Sequence, residues 1–252
     1  MKYYSHILLN LFFLSIIISA DFPDKTQLIR KNSVAKTIGR EDRKDGVHSG
    51  NRVLTRIYNH GAIGDQSSSF SGVYPIGSGH AYIYEFSPVI AASVVDANGF
   101  RKHIISDGTI GLTDNSPEGT PWGFEPLSGY ANPNQENLAM SDNENSWPDS
   151  WPNRPSDWDG EWNGQYGKYV RADQESYFVV DDYYNSEFEF WPDENDIPQD
   201  TTAASDNHRR GLGIQLDVRG YQWNHPAAED ILIVTYWITN VGTSVLDSVV
   251  FG

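Results

Sequence analysis

The sequence predicts an all-β protein, an antiparallel two-sheet sandwich carrying a long, ordered Trp- and Pro-rich loop. Three observations lead there. Apolar and polar residues alternate with period two over Leu212 to Arg219, so one face of that segment is buried and the other wet. Runs rich in Val, Ile and aromatic residues are separated by clusters of Gly, Asn, Asp and Pro. After residue 20 no stretch sustains the 3.6-residue apolar stripe of an amphipathic helix.

Residues 1–20 read as a secretory signal peptide. Lys2 and His6 flank a polar start, Ile7 to Ile18 is apolar apart from Asn10 and Ser15, and Ser19-Ala20 supplies small residues for cleavage. The run is shorter than the ~20 apolar residues that span a bilayer. A secreted, extracellular or cell-surface location is therefore expected, with no membrane span once the leader is removed. The chain has no cysteine, so its stability must come from an ordinary core rather than disulfides. It also has no Asn-x-Ser/Thr site, and both absences fit a bacterial secreted protein better than a eukaryotic one.

Residues 21–50 read as a flexible basic lead-in, and 51–252 as the β-rich domain. Asp24 to Arg56 holds nine basic residues against four acidic ones, with few apolar residues among them. The domain is strongly acidic: Ser141 to Asp200 has 16 acidic residues and three basic ones, and the chain as a whole carries −16. Such a body repels phosphate backbones, so nucleic acid is not an expected partner.

Within the domain, Pro88 to Val95, the turn cluster Asp96 to Gly99, and Phe100 to Ile105 predict a hairpin, because Asn98-Gly99 tolerates positive φ. Ser176 to Val180 reads as a strand ending at Asp181-Asp182. After Arg219 the alternation of the next strand slips at Gly220, which predicts either a β-bulge or the strand's end. Ile231 to Thr239 is almost continuously β-branched and aromatic, as in a central strand covered on both faces. Asn240 to Thr243 should then return Ser244 to Phe251 as its antiparallel neighbour. The apolar ending at Val249 to Gly252 suggests a domain truncated at its C-terminus, within a larger protein.

Asn115 to Lys168 contains seven of the 13 prolines and five of the eight tryptophans. Proline and glycine break regular elements, yet the aromatic content is wrong for disorder, so an ordered loop layer is expected. Its candidate ligand-binding residues are Trp151, Trp158, Trp162, Asp157 and Asp159: indole faces to stack on a sugar, carboxylates to accept from hydroxyls. The competing reading packs Trp147, Trp151, Trp158 and Trp162 down onto a sheet, since an indole buries up to ~250 Å². Asp157-Trp158-Asp159-Gly160 is a fragment of a calcium loop without the downstream ligands. Calcium also remains open at Asp142 and Glu144, and at Asp193, Glu194 and Asp196; no cofactor is otherwise indicated.

Catalytic motifs are not found. The seven histidines show no metal-ligand spacing, and there is no G-x-S-x-G elbow and no phosphate-binding glycine loop. Glycoside hydrolysis needs only two carboxylates, and Glu187 and Glu189, on one face of a strand beside Asp181 and Asp182, are its nearest candidates. No catalytic residue is assigned. The expected role is a binding or structural module of a larger secreted or surface protein, with glycans or other surface proteins as partners. The alternative is a carbohydrate-binding or glycan-degrading protein.

Several segments in order also carry a resemblance: Asn51 to Arg56, Gly61 to Gly64, Ser78 to His80, Ile104 to Gly108, Ala172 to Phe178, Arg219 to Trp223 and Ala228 to Leu232. Together they resemble the N-terminal regions of large, uncharacterised bacterial secreted proteins, some bearing a C-terminal sorting domain for type IX secretion. The resemblance implies export and a β-rich body, and assigns no activity to any residue.

Overall fold

A computed structural model of the chain describes residues 40–65, 67–109, 122–198 and 208–252. The leader and most of the basic lead-in lie outside the described residues. The fold is all-β and its strand pairs are antiparallel. Among the described residues ten strands divide among three sheets, where two were expected. Strands β1 (Asp45–His48) and β2 (Thr55–Tyr58) form a pair. Strands β3 (Val89–Val95), β4 (Arg101–Asp107) and β10 (Asp247–Phe251) form a sheet in the order β10-β3-β4. The largest sheet runs β5 (Glu125–Pro126), β7 (Gln174–Asp181), β8 (Ile214–Gln222), β9 (Ile233–Asn240), with β6 (Ala139–Met140) also on β7. No helix among the described residues is long and apolar enough to cross a membrane.

One core joins the sheets. Ile90, Ala92, Val94 and Ile104 of the three-stranded sheet cluster with Phe178, Val180, Leu216 and Val218 of the large one, and with Ile57 of β2. The β3–β4 hairpin forms as the sequence predicts, with Gly99 at φ 81° in its turn. Residues 40–48, inside the expected lead-in, are built into the domain: Arg43 clasps the buried Glu125 (Nε to Oε2 2.8 Å), and Val47 and His48 belong to β1.

Two strand assignments change. The strand covered on both faces is β7, buried at all eight positions although it includes Gln174, Glu175 and Asp181. It lies between the core and a loop layer. The apolar run Ile231 to Thr239 instead forms β9, at the edge of its sheet and exposed at Ile233, Trp237 and Ile238. Nor does the chain return as a hairpin. Thr243 and Ser244 donate to the Pro192 carbonyl, and β10 crosses to pair with β3.

Gly220 neither ends β8 nor forms a bulge, because the ladder passes it in register opposite Ser176 and Val234. The glycine answers a close approach: a Cβ there would lie 2.5 Å from His48 Nε2 and 2.6 Å from Ser176 Oγ. His48 is fully buried, its Nε2 2.9 Å from Ser176 Oγ.

Two buried amides fasten the chain between β1 and β2 to this end of the sheet. Gln174 accepts from the Ser49 and Gly50 N–H groups, and Gln222 accepts from Gly50 while donating to Asn51 Oδ1 and the Val53 carbonyl. Asn51 in turn donates to the Ala228 and Ile231 carbonyls, so the chain entering β9 is tied to the start of the domain.

Candidate functional site

The Trp/Pro tract folds as a layer over the second face of the large sheet. Trp151 and Trp162 are each 2% exposed and cluster with Tyr130, Ala139, Tyr177 and Val179. Their rings meet edge to face at 5.9 Å, and Trp147 lies 5.3 Å from Trp162. Proline and glycine leave the backbone irregular, so the indole N–H groups need individual partners. Trp147 donates to the Met140 carbonyl, Trp151 to the Glu161 carbonyl, and Trp162 to the buried Glu175 carboxylate at 2.7 Å.

The five candidate residues therefore separate. Trp151 and Trp162 lie inside the layer, with no face open to a ligand. Trp158 lies half-buried in the single turn Ser156–Trp158, and Asp157 and Asp159 are exposed beside it. Asp157 pairs with Lys168 at 2.8 Å, and the Arg154 guanidinium covers the Trp158 ring at 4.3 Å.

At the margin of the layer, where β8 meets β9, a cleft of about 80 Å³ opens. Asn153, Arg154, Gln165, Asp217, Arg219 and Trp237 line it, with Thr235 and Tyr236. Period-two geometry explains the lining: Asp217 lies opposite Trp237 and Arg219 opposite Thr235, so all four share the face that carries the loop layer. Arg219 is 7% exposed and stacks 3.8 Å above the Tyr177 ring. It donates to the Asn163 carbonyl at 2.5 Å, and Arg154 Nε donates to Asn163 Oδ1 at 2.7 Å. Among the described residues neither guanidinium pairs with a carboxylate within 4.0 Å. Burial lowers the pKa of Arg154, with Arg219 adding to the effect and Tyr177 and Asp217 opposing it. The Tyr177 hydroxyl donates to Asp217 at 2.7 Å and accepts from Asn153, and burial holds its pKa well above that of a free phenol.

These residues escaped the sequence reading for identifiable reasons. Asp217 and Arg219 are the polar half of the alternation and read as a wet face. Trp237 was absorbed into an apolar run. The one available signal was Arg154, a cation inside a tract otherwise rich in carboxylates.

The acidic candidates occupy other places. Glu187 and Glu189 are exposed and belong to no strand, so the shared strand face expected for them does not form; Glu189 accepts from Asn98. Asp181 and Asp182 are buried and their oxygens are already engaged. Arg209 grips Asp181 with two bonds of 2.6 and 3.0 Å, and Asp182 accepts from the Leu212 and Ile214 N–H groups and from Ser106 Oγ. Burial, reinforced by Asp181, raises the Asp182 pKa to about 7. Of the calcium candidates, Asp142 accepts from Gln174, Asp193 from the Asn195 N–H, and Asp196 lies 2.8 Å from His208 Nδ1. Among the described residues no three His, Cys, Asp or Glu side chains converge as a metal site.

Comparison with known proteins adds no identification: the chain matches no family model, no curated protein and no solved structure.

Proposed function

We propose that the chain is a binding module of a larger exported protein and that its ligand occupies the cleft between the tryptophan layer and β9. The leader-like residues 1–20 and the resemblance to N-terminal regions of secreted bacterial proteins support the setting. The observation that carries the reading is the pair Arg154 and Arg219. Two guanidinium groups are taken partly or almost wholly out of water at the wall of a cleft, and among the described residues no carboxylate lies within 4.0 Å of either. Burying charge is costly unless something compensates it. Here aromatic faces, carbonyl oxygens and the single Asp217 carboxylate of the cleft supply part of the compensation for two positive charges, and the remainder is left for a ligand.

A second, more specific reading is carbohydrate binding. Trp237 favours it: a large aromatic residue, 45% exposed, at the mouth of a cleft that also offers Asp217, Gln165 and Asn153 to hydroxyl groups. The test is a glycan and surface-polymer array probed with wild type and with Arg154→Gln. Saturable binding that the substitution weakens supports the module reading. Binding that survives unchanged in Arg154→Gln places the ligand elsewhere.

A further inference from the structure

We infer that the cleft recognises a single carboxylate group carried by an otherwise neutral sugar chain. The inference rests on the carbohydrate reading above and assigns the part of the ligand that enters the protein.

Charge arithmetic sets the sign. Arg154 and Arg219 contribute two positive charges to the cleft and Asp217 one negative charge, leaving one net positive charge in a chain whose total is −16. One anionic group neutralises it, and a polyanion would meet the repulsion of the surrounding acidic body. Size sets the same limit. A cavity of about 80 Å³ is several times the roughly 10–15 Å³ that one water needs, but far below the ~300 Å³ of pockets that enclose whole ligands. It admits one functional group, and the rest of the ligand lies outside.

Preorganisation then identifies the group. Arg154 is stacked on Trp158 and bonded to Asn163 Oδ1 and the Gly164 carbonyl. Arg219 is stacked on Tyr177 and bonded to the same Asn163. Both guanidinium planes are fixed before any ligand arrives, and fixed planar donors match the two oxygens of a carboxylate. Outside the cavity, Trp237 offers an apolar surface for a sugar ring. Asp217 accepts hydroxyl hydrogens and disfavours a second carboxylate.

The test is calorimetric titration of the chain with a xylo-oligosaccharide bearing one glucuronate branch. The same oligosaccharide without the branch, its glucuronate methyl ester, and a short acidic peptide serve as comparisons. The branched acid should bind at least tenfold more tightly than the unbranched chain or the ester. Arg154→Gln should abolish that preference, and Trp237→Ala should weaken binding of the branched acid. Equal binding of acid and ester overturns the carboxylate assignment while leaving the carbohydrate reading in place. Equal or tighter binding of the peptide overturns the sugar assignment. Binding of none of the four overturns the inference, and the module reading then stands or falls on the array.

Discussion

The guanidinium of Arg219 lies 3.8 Å above the Tyr177 ring, and this stack is the floor on which the tryptophan layer and the cleft meet. Tyr177 is fully buried in the central strand, and its hydroxyl joins Asn153 of the layer to Asp217 of β8. Tyr177→Phe keeps the ring and the cation–π contact but unpairs both partners. It should destabilise the protein by about 1–3 kcal/mol in urea unfolding. It should also weaken ligand binding more than that loss of stability explains, because Asp217 is no longer held.

The tryptophans of the tract should divide by burial. Trp162→Ala removes a 2%-exposed ring and the N–H bond to Glu175, so a loss of roughly 3–5 kcal/mol is expected. Trp158→Ala removes a half-buried ring whose main partner is Arg154, and should cost about 1 kcal/mol. Comparable losses at both positions, measured by chemical unfolding, would contradict the layered arrangement.

Gly220→Ala should destabilise by about 1–3 kcal/mol, since the added Cβ meets His48 and Ser176 within contact distance. The cost belongs to crowding, so it should shrink when His48 is removed. In a cycle with His48→Ala, the double variant is expected to be more stable than the sum of the single losses by about 1 kcal/mol or more.

The pH dependence of stability contains two opposed contributions. Burial lowers the His48 pKa to about 4 from 6.5, so between those values the unfolded chain binds the proton and the folded chain does not. That contribution is complete above pH 6.5 and is lost as pH falls towards 4. Burial raises Asp182 to about 7 from 3.8, so its contribution runs the other way, present at low pH and lost as pH rises towards 7. The two largely cancel between pH 4 and 6.5. Removing the imidazole uncovers the second one: His48→Gln should lose stability as pH rises through this range. The wild-type-minus-variant difference should rise by about 3 kcal/mol across it, at ~1.4 kcal/mol per pKa unit. A flat difference in pH-dependent urea denaturation would place His48 in contact with water.

What the sequence disclosed follows from how local each signal is. The β3–β4 hairpin and the alternation of β8 were legible because a turn pair and a period of two are written within about ten residues. The layer's order was legible too, since tryptophans among prolines fit neither a regular element nor disorder. The roles of β7 and β9 were exchanged because burial on a second face depends on what a distant loop covers. Gln174, Glu175 and Asp181 look like surface residues until Ser49, Gly50, Trp162 and Arg209 supply their hydrogen bonds. Ile233 and Trp237 look like core until the next strand crosses to another sheet. The cleft was not legible at all. Arg154 and Arg219 are 65 positions apart, and Asn163 bonds to both at one wall.

The most direct measurement is hydrogen exchange of the indole N–H groups, followed by NMR. With the tract packed as a layer of the fold, the Trp151 and Trp162 indole protons should persist until global unfolding exposes them. If Trp151 and Trp162 exchange as fast as the indoles of the urea-unfolded chain, the tract is an open platform and the cleft at its margin is not the binding site.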